Sequence, residues 1–298
     1  MTDILKHCTL CPRECGVNRY ETRGFCGEGA AVRIARAELH MWEEPCISGS
    51  RGAGTVFFSG CDLRCCFCQN YEISHLGKGF EVSTGELCDA FLRLRDMGAH
   101  NIDLVNPTHF LPQITEALDR LDGSLGIPVV YNSGGYDKPE SLELTRGRIS
   151  IFLPDLKYLD SGMAARYSGA KDYPERAFAA IHKMFELVGR PVIGGDGLMK
   201  SGVIVRHLIL PNHRQDSIAL IKRLREEFDP EDILVSLMSQ YTPVYRAGEF
   251  HEIDRRLSTF EYRTVAEVLE QSGFDGYVQQ KTSASEEFIP KFYGEKYY

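Results

Sequence analysis

The sequence predicts an α/β fold: an open or partial (β/α)6 barrel with an N-terminal cysteine-rich, metal-binding extension. Three observations predict it. From about residue 53, short apolar runs alternate with amphipathic helical segments through roughly six repeats. Such alternation implies parallel strands joined by right-handed crossovers. Residues 1–50 lack that rhythm and read as loops rich in cysteine. The third observation is placement: one tight cysteine group directly follows the first apolar run, on the kind of loop where such barrels gather functional groups.

Strands are expected at 55–59, 101–105, 127–131, 149–154, 202–210 and 232–238. Between them, a helix over 84–97 is signalled by Ser83 and Glu86 as a capping box. Leu87, Phe91 and Leu94 share one of its faces, and Gly98 is its stop. Helices over 111–121, 174–188 and 215–228 follow from Ile114, Leu118 and Leu121, from Phe178, Ile181 and Phe185, and from Ile218, Ile221 and Leu224. Ser258 and Glu261 open a last helix over 258–272. After Gly273 comes a short strand-like Tyr277-Val278. The division expected is 1–50 as the extension, 51–245 as the barrel and 246–298 as a C-terminal extension packed on it. The aromatic tail (Phe292, Tyr293, Tyr297, Tyr298) is a candidate docking segment.

The 298 residues are 43% hydrophobic and 26% charged, the balance of a soluble globular chain. A net charge of −8 argues against generic nucleic-acid binding, which needs a basic face. No run approaches the twenty or so apolar residues of a membrane span, and Met1-Thr-Asp-Ile-Leu lacks the pattern of a secretory signal. A cytoplasmic location is expected. Ten cysteines in such a chain suggest metal ligation in a reducing compartment. Seven fall into the two groups, and Cys46, Cys66 and Cys88 remain as packing residues.

The first group to consider is Cys61-x3-Cys65-x2-Cys68. Thiolates are the usual protein ligands of a [4Fe–4S] cluster, and three of them leave one iron open. An open iron can take the amine and carboxylate of S-adenosylmethionine, and an electron can then cleave its sulfonium to a 5′-deoxyadenosyl radical. A four-thiolate zinc site using Cys66 as well is the rival. It is awkward, because the side chains of adjacent residues diverge. The segment Gly60-Cys-Asp-Leu-Arg-Cys-Cys-Phe-Cys-Gln-Asn70 resembles the cluster loop of the radical S-adenosylmethionine superfamily.

The N-terminal group reads Cys8-x2-Cys11-x3-Cys15-x10-Cys26. Its spacing suits a second metal site, either zinc or an auxiliary iron–sulfur cluster. After the second strand, Asn106 and Thr108 are candidate polar contacts, and His109 reads as a buried structural histidine or a catalytic one. After the third come Asn132, Ser133 and two glycines. After the fourth, Asp155 and Lys157 are two residues apart and share a side of extended backbone, suited to ribose hydroxyls. Arg206 is a charge inside an apolar strand, and such a residue is almost never buried unpaired. Its fork fits a carboxylate: that of the methionine moiety, or an internal Asp or Glu. His207 points to the opposite face. Gln240 and Tyr241 close the last strand and either border ligand or pack the mouth.

Together these segments resemble the pyruvate formate-lyase activating enzyme group, in the branch of its uncharacterised homologues. The resemblance rests on Cys8-Thr-Leu-Cys-Pro-Arg-Glu-Cys-Gly-Val-Asn-Arg19, Phe58-Ser-Gly-Cys61 with its loop, Pro107-Thr-His109, Pro154-Asp-Leu-Lys157, Val205-Arg-His-Leu208 and Leu237-Met-Ser-Gln-Tyr241. It implies a partial barrel, Asp155 and Lys157 around the nucleoside, and Arg206 near the methionine carboxylate. Two departures stand out. The glycine–glycine–acid segment that meets the cofactor's amino group is missing. Where the activating enzymes place an acid and a hydroxyl to help hold a monovalent cation, this chain has Asn132-Ser133. The expected activity is hydrogen abstraction from a protein, peptide or small molecule, a glycyl-radical protein among them, with a flavodoxin- or ferredoxin-type reductant. The alternative from another class is a non-catalytic iron–sulfur or zinc adaptor or electron carrier.

Overall fold

The structure, a computed structural model, describes residues 3–278. The aromatic tail at 292–298 lies outside the described residues. Strands run over Val32–His40 (β1), Ala53–Phe58 (β2), Phe80–Val82 (β3), Ile102–Val105 (β4), Val129–Ser133 (β5), Ile151–Pro154 (β6), Val192–Ile193 (β7), Met199–Leu208 (β8), Leu234–Met238 (β9) and Gly276–Val278 (β10). Helices are Pro45–Ser48 (α1), Tyr71–Ser74 (α2), Thr84–Asp96 (α3), Leu111–Leu121 (α4), Pro139–Leu142 (α5), Ser161–Ser168 (α6), Tyr173–Val188 (α7), Arg214–Glu227 (α8) and Thr259–Ser272 (α9).

The sheet order is β10-β9-β8-β6-β5-β4-β2-β1-β3. All pairings from β2 through β4, β5, β6, β8 and β9 to β10 are parallel, and this is the expected partial barrel. Both expected capping boxes form, Ser83 with Glu86 and Ser258 with Glu261. One expectation is corrected. Residues 32–40 are not loop: β1 pairs antiparallel with β2 and with β3, so part of the extension continues the sheet.

Alternation along each strand separates two faces. Outward residues such as Leu104, Tyr131, Phe152, Val203 and Val235 join the core under the helices. α3 contributes Leu87, Phe91 and Leu94 to that core, and α8 contributes Leu220, Ile221 and Leu224. Phe185 and Ile218, expected on buried faces, lie at its margin. Inward residues Ala53, Val130, Ile151, Leu153 and Ile204 form an apolar floor, closed below by Cys46 and Ile47 of α1. One inward step higher, the same alternation presents Thr55, Asn132, Asp155, Arg206 and Ser236, with Asp103 facing them from β4. The fold therefore stacks a polar layer on an apolar one, directly beneath the cysteine loop. Among the described residues, no helix is long and apolar enough to cross a membrane.

Candidate active site

The loop begins where β2 ends. Gly60 has φ +81°, and a Cβ there would stand 2.5 Å from Glu28 Cγ and 2.7 Å from the Cys26 carbonyl oxygen. Only glycine fits. Beyond it the chain docks on the end of α6: Arg64 N–H donates to the Ser168 carbonyl (3.0 Å) and Cys66 N–H to the Tyr167 carbonyl (2.8 Å). The Arg64 guanidinium folds back onto the carbonyls of Cys61 (2.7 Å) and Leu63 (2.9 Å). The backbone is thus tied from both sides.

Cys61, Cys65 and Cys68 are free thiols, as are the other cysteines of the chain. Cys61 senses the charges of Cys65 and Cys68. Cys66 senses Cys65 as well, is felt by Tyr241, which packs edge-on against Phe67, and its carbonyl accepts from Arg246 N–H. Cys61, Cys65 and Cys68 thus lie on one loop braced against α6, with Cys66 packed in the core beside them. Burial raises the thiols of Cys61 and Cys65 above their usual range and pushes Cys68 up to about 11. Ligation of a metal would release these protons.

Below the loop, the four candidates Asn132, Asp155, Lys157 and Arg206 meet. Asp155 forms ion pairs with Lys157 and, at 3.0 Å, with Arg206 Nε. Arg206 also donates to Asn132 Oδ1 (2.6 Å) and Glu43 Oε2 (3.1 Å). Burial pushes the Asp155 carboxyl up, but Arg206 and Lys157 outweigh it and hold it below the usual range. Burial likewise works against the Lys157 ammonium, which Asp155 and Cys65 keep charged. Glu43 and Asp103 were not singled out in the sequence. Both are raised by burial, Asp103 further by the charge of Glu43, and Asp103 is fully buried. Asp103 carried the same signal as Arg206, a charge inside an apolar strand. Glu43 carried none.

Thr108 and Ser133 belong to a second cluster. Their hydroxyls donate to the buried carboxylate of Asp137 at 2.7 and 2.6 Å, and Tyr131 OH donates to it at 2.7 Å. Asp137 was also missed. Gly135, at φ +77°, lets this turn pass so close to Asp155 that a Cβ would sit 2.0 Å from its carbonyl oxygen. Asn106 adopts φ +59° and donates to the Gly60 carbonyl, linking the end of β4 to the cysteine loop. His109 Nε2 lies 2.6 Å from the Ser59 carbonyl, and burial lowers it to about 3: a neutral structural histidine. His207 faces the helices, with Ser217 of α8 2.8 Å away. Gln240 contacts Met238, and Tyr241 is buried with its hydroxyl on the Ile253 carbonyl (2.9 Å).

In the N-terminal group, Cys8, Cys11 and Cys26 are buried and Cys15 is exposed. A Cβ on Gly24 would lie 3.3 Å from Cys15 Sγ and 3.5 Å from Cys26 Sγ, so these sulfurs flank one point. Cys11 senses Cys26 and Cys8. Among the described residues, no group of three or more His, Cys, Asp or Glu side chains is drawn tightly enough together to hold one metal ion. A cubane asks for something wider, because each of its thiolates binds a different iron.

A thiol loop over the carboxyl end of a partial parallel barrel, above an inward layer of buried charges, has the donor types of a cluster-binding barrel. Comparisons narrow the class. Residues 55–200 match the radical SAM superfamily. An uncharacterized protein of Methanocaldococcus jannaschii is 31% identical over 283 residues, spanning 92% of this chain and 77% of that protein. SuiB of Streptococcus suis, bound to its precursor peptide SuiA, shares the fold with a TM-score of 0.51 at 16% identity, over 73% of this chain and 46% of SuiB. A second SuiB structure gives 0.50 at 15% identity, over 76% and 47%. This chain thus spans just under half of SuiB. Residues 55–200 are a radical SAM domain, and that family implies a [4Fe–4S] cluster and S-adenosylmethionine. The three free sulfur donors on one loop fit that cluster.

Proposed function

We propose that Cys61, Cys65 and Cys68 hold the [4Fe–4S] cluster, and that the enzyme takes a hydrogen atom from a substrate of the activating-enzyme kind. The carrying observation is three free thiols on one loop braced against α6, with Cys61 sensing both Cys65 and Cys68. Held by Cys61, Cys65 and Cys68, the cluster would supply the one-electron reduction of S-adenosylmethionine on which hydrogen abstraction by a 5′-deoxyadenosyl group would depend.

The chain's own residues bind and orient. Lys157 and Asp155 hold the ribose side of the nucleoside. Arg206 takes the methionine carboxylate, exchanging for it one of its present carboxylate partners. Asn132, Asn106, Thr108, Ser133 and Gln240 border the same ligand. The N-terminal Cys8, Cys11, Cys15 and Cys26 hold a second metal, zinc or an auxiliary cluster. The division follows: 1–50 as the metal-binding extension, 51–245 as the catalytic barrel, 246–298 as the extension packed on it. A flavodoxin- or ferredoxin-type protein delivers the electron. The substrate is a protein or peptide bearing an abstractable hydrogen, a glycyl-radical protein first among them. SuiB with its bound precursor peptide is a second polypeptide precedent.

The test is anaerobic reconstitution, addition of dithionite and S-adenosylmethionine, and measurement of 5′-deoxyadenosine. Release is expected, and deuterium from the true substrate enters it. A fully clustered protein that binds no S-adenosylmethionine and releases nothing is the adaptor, and overturns the proposal.

A further inference from the structure

Two of the three loop thiols are met by serine hydroxyls from outside the segment Cys61 to Cys68. Cys65 Sγ lies 2.9 Å from Ser168 Oγ, and Ser168 Oγ lies 2.8 Å from Tyr158 OH. Cys68 Sγ lies 3.2 Å from Ser74 Oγ, which is 2.8 Å from His75 Nδ1 and 2.9 Å from the Asn70 carbonyl oxygen. Ser168 and Tyr158 have no solvent exposure, and Ser74 is buried as well.

A liganding cysteine is a thiolate and only accepts, so a hydroxyl beside it must donate to it. At Ser168 the chain of donors then closes in one sense. Tyr158 OH donates to Ser168 Oγ, and Ser168 gives its single proton to Cys65. At Ser74 the single proton has Cys68 Sγ, the Asn70 carbonyl and, in the tautomer that leaves Nδ1 bare, His75 as acceptors, so the donation is divided. Adding one electron to a cluster increases the negative charge on its sulfurs, and a hydrogen bond to sulfur is one of the settings of its potential. Such a charge-assisted bond is stronger in the low dielectric of a buried site.

We propose that Ser168, backed by Tyr158, is a positioning residue that raises the reduction potential of the cluster through Cys65, and that Ser74 does the same more weakly through Cys68. The proposal rests on the reading that Cys61, Cys65 and Cys68 hold the cluster.

The experiment is a dithionite titration of the anaerobically reconstituted protein, followed by electron paramagnetic resonance, with no substrate present. Ser168→Ala is expected to disfavour the one-electron reduction about tenfold, a shift of about 59 mV to the negative. Tyr158→Phe and Ser74→Ala move it the same way by less, and Ser168→Thr, which keeps the hydroxyl, restores the native value. A fully clustered Ser168→Ala protein with an unshifted midpoint overturns the proposal. Should that variant fail to take up the cluster, Tyr158→Phe, which keeps the ring in its packing, decides: an unshifted midpoint overturns it. Native protein that takes up no cluster at all overturns the underlying reading, and this inference with it.

Discussion

The two cysteine groups touch, for Cys61 N–H donates to the Cys26 carbonyl at 3.1 Å, yet they are held in different ways. The loop after β2 is braced by the barrel: its backbone is tied to α6, and two of its sulfurs meet buried hydroxyls. The N-terminal group closes mainly on its own turns, with Cys8 N–H on the Val17 carbonyl, Gly16 N–H on Cys8 and Glu14 N–H on Cys11. Its apolar nucleus is small: Leu5, Cys8 and Leu10, with a few half-buried neighbours. The loop thus draws its shape from the barrel, and the N-terminal group, with less apolar burial of its own, would gain more from the second metal proposed for it.

The largest effect that would break this contrast is on chemistry. Cys65→Ala should reduce 5′-deoxyadenosine release to background, whereas Cys11→Ala should leave it measurable, as read by chromatography of anaerobic reactions. Equal loss in both would make the groups one catalytic unit. Next in size, Asp155→Asn leaves Lys157 and Arg206 with a missing counter-charge in a largely buried layer. Breaking such a pair costs about 3 kcal/mol, read as a lower urea midpoint of the barrel. Cys11→Ala should leave that midpoint in place and instead expose the segment from 8 to 26 to protease. A common drop in midpoint would mean the extension and barrel unfold together.

A smaller effect is pH-dependent and belongs to the barrel. His207 is lowered to about 4, first by burial, against the Leu156 carbonyl and the charge of Asp155. The native state therefore binds fewer protons than the unfolded one, whose histidine titrates near 6.5. The stability is fully present above that pH. It falls by about 1.4 kcal/mol per pH unit between there and about 4. Denaturation curves across that range should be flatter for His207→Gln, and an unchanged slope would remove the assignment.

The sequence carried the barrel well because parallel strands and amphipathic helices announce themselves by periodicity. β1 escaped because its register shifts between Ile34 and Arg36, which breaks the two-residue alternation. β3 and α5 are too short to show a period. In the site, Asp155, Lys157 and Arg206 were legible as charges at or within apolar strands. Glu43 was not, because it reaches Arg206 from 163 residues away in the chain. Asp137, Ser74 and Ser168 are ordinary residue types whose importance lies only in what surrounds them.

The close approach of Cys26 and Glu28 to Gly60 has a consequence for handling the protein. The extension roofs one side of the β2 loop, and Arg13 pins it by donating to the carbonyls of Asp62 and Gly169, each at 2.8 Å. Trimming the first thirty or so residues to obtain a tidier barrel would therefore unroof the thiols, and dioxygen would reach sulfurs that the intact chain shelters.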